Sequence, residues 1–258
     1  MPRVHPHAVV DPSAKLADDV TIGAFSYVGA GVELAPGVVV GNHVSVTGPT
    51  SVGPRTQLHP FAAVGGAPQD KKYAGEPTRL EIGADNQIRE GVTIHRGTPQ
   101  GGGITRLGDD VMVMNGAHIA HDCQIGSHVV IASFCGLAGH VTIEDFAVLG
   151  AYTGVHQHAR IGESVMSAAN AKLSKDAPPF ALVAGDHARV VGMNGVGLQR
   201  RNFSDAALHD LKHAFHLLFA SKLRLEIATA RVREEAGSTP EVQRLLHFIE
   251  TSTRGVCR

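Results

Sequence analysis

LGDDVM-VMNGAH-IAHDCQ-IGSHVV-IASFCG-LAGHVT-IEDFAV-LGAYTG-VHQHAR-IGESVM, residues 107–166, is a run in which an aliphatic residue opens every hexad from Leu107 to Ile161 without a break. A period of six is neither the two of an ordinary strand nor the 3.6 of a helix, and self-similarity at a fixed period marks a stacked repeat. The same spacing runs back through Val64, Leu58, Val52, Val46, Val40, Leu34, Val28, Ile22, Leu16 and Val10 to Val4. The fifth place of each hexad is small or β-branched, as at Ala14, Val20, Ser26, Val32, Val38 and Val44. Both places can point inward if each hexad makes a short flat strand and then a corner, with Gly, Asp, Asn and Pro supplying the corner backbone.

Composition agrees with a narrow interior. The 258 residues are 43% hydrophobic, yet Trp is absent and aromatics are only 5%, so the core must be built from Val, Ile, Leu and Ala. A net charge of −1 argues against a general nucleic-acid binder. The charge is uneven: residues 1–150 carry 9 Lys+Arg against 14 Asp+Glu, and residues 151–258 carry 14 against 10. The basic C-terminal balance suits an anionic ligand or acidic partner, or equally a solvated helix surface. Cys123, Cys135 and Cys257 form no CxxC pair and are odd in number, which suits a reducing compartment. The opening Met1-Pro-Arg-Val-His has no apolar signal region, and no apolar run is long enough to span a bilayer. The expectation is a soluble, cytoplasmic protein that is not membrane-spanning.

The hexads resemble those of the hexapeptide-repeat proteins. That resemblance implies a mainly β fold, a left-handed parallel β-helix with three hexads per triangular coil, so that residues eighteen apart stack one above the other at about 4.8 Å. The β-helix is expected over residues 1–180, ended by Asp176-Ala-Pro178-Pro179, with a mixed connector over 181–203 and a C-terminal α-helical domain over 204–258. Two polar excursions, at about 65–81 and 95–106, interrupt the hexads; the first returns to the same phase at Ile82 and the second shifts it by one before Leu107. Such loops carry function more often than the scaffold does. In the C-terminal part Ser204 suits a helix N-cap ahead of Leu208, Leu211, Phe215, Leu218 and Phe219. A second helix is expected from Thr239-Pro240-Glu241 to about Glu250, with Gly237 marking the turn between the two.

Sixteen His residues invite a metal reading. His209, His213 and His216 share one helical face, for which a half-buried stripe is the plainer account. The concentrated set is His118, His121, Asp122, His140, His156 and His158. Asp122, His140 and His158 are eighteen apart and should form a column on one corner of the coil, with His121 at its edge. A His beside a carboxylate has its tautomer fixed and its basicity raised, which makes a general base near neutral pH.

Gln69-Asp70-x-Lys72-Tyr-Ala-Gly-Glu-Pro-Thr-Arg79, Ile88-Arg-Glu-x-Val-Thr-Ile-His-Arg-Gly97, Ala117-His-Ile-Ala-His-Asp-Cys123, Leu137-Ala-Gly-His140 and Gly185-x-His187 together resemble the UDP-N-acetylglucosamine acyltransferases, over essentially the whole chain. The resemblance implies transfer of a 3-hydroxyacyl chain from acyl carrier protein to the sugar 3-hydroxyl, the first step of lipid A biosynthesis, by a homotrimer with no metal and no cofactor. It implies that His121 is the general base, Asp122 its orienting carboxylate and the Gly139 N–H the oxyanion donor. Substrate contacts are implied for Gln69, Asp70, Lys72, His118, His140, His156, Gln157, Asn194, Arg200 and Arg201, and acyl-chain contacts for Ala169 and His187. Val196 departs from the pattern, standing where an acidic residue would help hold the nucleotide. Ala169 stands where chain length is limited, and implies a donor of medium length.

Three other readings share parts of this pattern. The sister N-acyltransferases have a separate N-terminal uridine-binding domain, whereas hexads begin here at Val4. An acyltransferase acting on a 3-amino sugar nucleotide would use the same base and groove. A zinc γ-type carbonic anhydrase could employ His118 and His121 as ligands, but would leave the Gln-Asp-x-Lys loop and basic connector without purpose.

Overall fold

Each hexad folds as its composition dictates, into a two-residue strand and a corner. In Val130–Ile131, Val148–Leu149 and Met166–Ser167 the first residue faces outward half-buried and the second is buried. The corner must turn the chain from one face to the next within a few residues, and it does so through one left-handed residue: Asp122, His140 and His158 all have φ of +61°. Such a residue costs roughly 1–2 kcal/mol when it carries a Cβ. The ladders on either side outweigh that cost, and stacked rings reinforce some corners, as where Phe134 lies on Tyr152 with centroids 5.3 Å apart.

The computed structural model describes residues 1–236 and 239–258, so the turn expected at Gly237 falls outside the described residues. The strands form the three faces of a left-handed parallel β-helix. Strands that stack in order, such as Met112–Val113, Val130–Ile131, Val148–Leu149 and Met166–Ser167, make the first face. The second face includes His118–Ile119, Gly136–Leu137, Gly154–Val155 and Lys172–Leu173. The third includes Ile104–Leu107, Gln124–Ile125, Thr142–Ile143 and Arg160–Ile161. The eighteen-residue rung holds through the hexads except at the two excursions, where Leu80 stacks on Thr50 and Thr105 on Leu80, and it shortens to sixteen at the last coil, where Leu182 stacks on Met166. The first loop therefore lengthens one turn by two hexads, preserving phase, and the second lengthens the next by seven residues, which accounts for its shift by one.

The coil runs past Pro178-Pro179, where the hexads suggested an end. The two prolines sit at a corner, where a missing N–H costs nothing. Phe180 N–H then bonds Glu163 O (2.8 Å), and Ala181–Ala184 pairs in parallel with Met166–Ser167. Arg189–Met193 turns back antiparallel on that strand and finishes the sheet. The connector is thus mostly ordered secondary structure, completed by helix α1 (Gly195–Arg200). Helix α2 (Asp205–Phe215) has the expected Ser204 cap, whose hydroxyl accepts from Ala207 N–H, and a π turn at His216–Ala220 extends it.

Helix α3 (Leu225–Glu235) was not evident from the sequence, because the residues it buries are Ala228, Thr229 and Val232, too small and polar to mark an apolar stripe. Helix α4 (Pro240–Glu250) follows, with Pro at its first turn as expected. The last residues return to the coil: buried Asp176 accepts from Ser252 Oγ (2.7 Å) and from the Arg160 N–H (2.9 Å), and Cys257 N–H donates to Asp176 O (2.8 Å).

The core of the coil is a stack of aliphatic and small side chains, with Ile119, Ile131 and Leu137 fully buried. Deleting most of one such side chain leaves a hole that the rigid coil cannot close. Ile131→Ala is expected to lower unfolding free energy by about 2–5 kcal/mol, measured by denaturant melting, with secondary structure retained at low denaturant.

Candidate functional site

The corner between the second and third faces gathers the histidines. His121 precedes the left-handed Asp122, and His140 and His158 occupy the same corner on the next two coils, their rings stacked 4.4 Å apart. His121 and His140 meet edge to face at 5.1 Å. His121 Nδ1–H donates to Asp122 Oδ2 (2.7 Å), which leaves Nε2 as the free lone pair of the ring. Asp122 is 4% exposed, and a buried carboxylate is tolerable only when its oxygens are bonded. Here the second excursion supplies the partners: Thr98 N–H donates to Oδ1 (2.8 Å) and the Thr98 hydroxyl to Oδ2 (2.6 Å). The Asp122 N–H is held by Thr105 Oγ1 (2.8 Å), so both ends of the excursion are fastened to this one residue.

Gly139 lies directly against the His121 ring. A Cβ there would come within 2.5 Å of the imidazole, so no larger residue fits without moving His121. Among the described residues the Gly139 N–H has no acceptor. His118 Nδ1 lies 2.8 Å from Thr93 Oγ1. Burial chiefly, with help from the neighbouring His95 and His121, pushes His118 below its ordinary value of 6.5. Burial also pushes His140 down, against the pull of the Asp122 carboxylate. Among the described residues, the group of metal-capable side chains close enough to share an ion is His121, Asp122 and His140; His118 is not in it. None of the cysteines offers a thiolate, since burial raises all three, Cys123 to about 12.

A groove of about 520 Å³ runs along the second face beside His118. Its depth comes from a register effect: the outward residues in line are His118, Gly136, Gly154 and Lys172, and the two glycines leave open space where neighbours project side chains. Leu137, Val155 and Leu173 line it, and His187, whose Nδ1 is 3.0 Å from Ser174 Oγ, stands at its rim. Ala169 is exposed on the corner between the first and second faces.

The remaining candidates divide. Asp70 comes near enough to favour the protonated form of His140, while Gln69 and Lys72 are exposed on the same loop. His156 and Gln157 are exposed just before His158. Asn194, Arg200 and Arg201 do not join them within one chain. Asn194 caps α1 and donates to Ser164 O (2.9 Å), and Arg201 binds Glu163 and Ser164 while its guanidinium lies 3.5 Å from the Phe146 ring. Phe146 and Ser164 belong to the corner between the third and first faces, a different edge of the prism. Arg200 and Val196 are exposed beside them.

Sequence reasoning missed Thr98, Lys172 and Arg254. The Thr-Pro pair at residues 98–99 is a capping signal, and Thr98 does cap a short 3₁₀ turn, but nothing local points to Asp122. Arg254 comes from the C-terminal tail, with Nη2 donating to Ser174 O (3.1 Å) and lying 3.0 Å from His156 Nδ1.

Comparison with known proteins places this geometry among relatives. The family model described as UDP N-acetylglucosamine O-acyltransferase, domain 2, matches residues 176–257, and that of the bacterial transferase hexapeptide (six repeats) matches residues 104–139. The acyl-(acyl-carrier-protein)–UDP-N-acetylglucosamine O-acyltransferase of Thermodesulfovibrio yellowstonii is 43% identical over 258 residues, covering 100% of both chains. That of Syntrophobacter fumaroxidans is 46% identical, covering 99% of this chain and 100% of its own. Among solved structures, the UDP-N-acetylglucosamine O-acyltransferase of Moraxella catarrhalis superposes with a TM-score of 0.95 at 38% identity, with 99% of each chain covered. The Arabidopsis UDP-N-acetylglucosamine acyltransferase gives 0.88 at 30% identity, covering 99% of this chain and 100% of its own.

The depressed proton affinities of His118 and His140 have a consequence for stability. The unfolded chain takes up protons near 6.5 that the folded chain accepts only at lower pH, so both groups stabilise the fold above that value and their contribution is lost on acidification. The thermal midpoint of His118→Gln is expected to fall less than that of wild type between about pH 7 and about pH 5, as read by calorimetry.

Proposed function

The chain belongs to the acyl-(acyl-carrier-protein)–UDP-N-acetylglucosamine O-acyltransferase family, and on that premise we propose how its own residues carry the reaction. It is an O-acyltransferase of the first step of lipid A biosynthesis, moving an acyl chain from acyl carrier protein to UDP-N-acetylglucosamine. The observation that carries the mechanistic reading is the hydrogen bond from His121 Nδ1–H to the buried Asp122 carboxylate. It fixes the tautomer in which Nε2 can accept a proton.

His121 Nε2 takes the proton of the sugar 3-hydroxyl as that oxygen attacks the thioester carbonyl of the 3-hydroxyacyl donor. Charge gathers on the carbonyl oxygen, and the Gly139 N–H donates to it; a preorganised donor of this kind contributes about 3–4 kcal/mol in other acyl transfers. Collapse of the tetrahedral intermediate expels the carrier-protein thiolate, which takes the proton back from His121. No acyl-enzyme forms, in keeping with cysteines whose burial holds them as thiols. The sugar sits over His118 and His140, with Asp70, Lys72, Gln69, His156 and Gln157 around it. The acyl chain follows the groove floored by Gly136 and Gly154 past His187, and Ala169 limits its length.

The family reading of a homotrimer fits the division of the candidates between two edges. A second copy can bring its Asn194, Arg200 and Arg201 to the His121 edge of the first, where cationic groups suit the diphosphate. The outward stripe of Met112, Val130, Val148 and Met166 on the first face is apolar, whereas the third face presents Arg106, Gln124, Thr142 and Arg160. That asymmetry favours association through the apolar side. Among the described residues no helix is long and apolar enough to cross a membrane, and three free, buried cysteines suit the cytoplasm.

Acyl transfer from a panel of 3-hydroxyacyl carrier proteins to UDP-N-acetylglucosamine is expected to show a medium-length optimum that lengthens in Ala169→Gly. His121→Ala is expected to lower kcat roughly 10²- to 10⁴-fold, and near-wild-type turnover in that variant would remove the general-base reading. For the shared site, refolding an equal mixture of His121→Ala and Arg200→Ala chains, each inactive alone, is expected to recover roughly a quarter of wild-type sites, because one interface in four joins two intact halves. No recovery would place both residues' work within one chain.

A further inference from the structure

The second excursion does more than flank the site. We propose that Thr98 is a positioning residue of the reaction, whose hydroxyl and backbone N–H together lock the Asp122 carboxylate in the orientation that holds His121. The proposal rests on the reading of His121 as general base and extends it into the loop.

Three features carry it. Thr98 meets both carboxylate oxygens, through N–H to Oδ1 (2.8 Å) and through the hydroxyl to Oδ2 (2.6 Å), the same oxygen that receives His121 Nδ1–H (2.7 Å). The hydroxyl has its direction set from behind, because its oxygen accepts from Gly101 N–H (3.3 Å) and its own hydrogen is thereby left for Asp122. Gly101 itself is pressed against the carboxylate, so that a Cβ at that position would overlap Asp122, and the loop backbone forms the lid that keeps Asp122 out of water. Thr98 is 1% exposed. A buried hydroxyl that donates to a buried anion while accepting from a backbone N–H has both its hydrogen and its oxygen engaged.

The electrostatic consequence has a definite sign. Oδ2 divides its negative charge between the Thr98 hydroxyl and His121 Nδ1–H. Without the hydroxyl, more charge faces the imidazole, and protonated His121 is better stabilised. The other titratable groups facing His121 are His140 across the corner (5.1 Å between ring centroids) and His118 from the preceding strand. The arginines of the excursion are engaged elsewhere, Arg96 with Gly48 O and Gly65 O and Arg106 with Glu81.

The test uses full-length Thr98→Val, which keeps the side-chain shape and the backbone N–H, together with Thr98→Ser, which restores the hydroxyl. Thr98→Ala takes the place of the valine variant if that one does not fold. Steady-state kinetics and NMR titration of the His121 imidazole are read on each. Thr98→Val is expected to lower kcat roughly ten- to a hundredfold, the range of one hydrogen bond to a charged group. KM for UDP-N-acetylglucosamine is expected to stay within about threefold, since the ground-state contacts remain. The His121 titration and the acidic limb of the pH profile are expected to move to higher pH, and Thr98→Ser to return both toward wild type. Unchanged kcat and titration in folded Thr98→Val would overturn the proposal, as would a serine variant as impaired as the valine one. Activity persisting in His121→Ala would instead count against the general-base reading alone, while the NMR titration, which needs no turnover, still decides whether Thr98 governs the Asp122–His121 pair.

Discussion

A triangular interior too narrow for rings sets the terms for everything else in this chain. The inward places hold Val, Ile, Leu, Ala and the occasional Cys or Thr, nearly all fully buried, and Trp is absent from the sequence. Because each coil contacts only its neighbours, stability accumulates rung by rung. A loop can leave at a corner without disturbing the rest, provided the ladder resumes on the rung below. Both excursions do so, with Leu80 over Thr50 and Thr105 over Leu80. Growth at the C-terminal end is stopped by the antiparallel Arg189–Met193 strand and by the tail fastened to Asp176.

The corners turn this regularity into chemistry. A left-handed residue projects its side chain away from the packed faces, and repetition every coil aligns such residues in columns. On one edge the column carries Asp122, His140 and His158, and on another it carries Phe134 and Tyr152. A carboxylate at an open corner would be solvated and a weak partner for a neighbouring His. The 95–106 excursion removes that solvent and replaces it with fixed donors, so that Asp122 holds His121 as a buried and fully bonded carboxylate. The groove on the adjacent face depends on the same register, since Gly136 and Gly154 open a channel only because they lie in line.

The hexads made the β-helix legible because one aliphatic place and one small place repeat through most of the chain, a signal stronger than any single propensity. The adjacency of His121 and Asp122 was legible for the same reason, being local. Helix α3 was not, because it buries Ala228, Thr229 and Val232 rather than large apolar side chains. The continuation of the coil past Pro178-Pro179 was also hidden: proline reads as a stop in sequence, yet a corner asks nothing of the missing N–H. Thr98 and Arg254 escaped notice since each meets its partner across a distance in sequence, Thr98 to Asp122 and Arg254 to His156.

What the sequence by itself determined is the repeating coil, its polar column and the two places where loops leave it, because these follow from periodicity and every period is written in neighbouring residues. Only the tertiary structure decided which loop covers which corner, and that Arg201 lies on a different edge from His121. Those relations depend on how many residues each excursion adds to a turn and on where its hydrogen-bond donors fall in space. Neither is encoded in a local pattern, and both are fixed when the ladder closes above and below the loop.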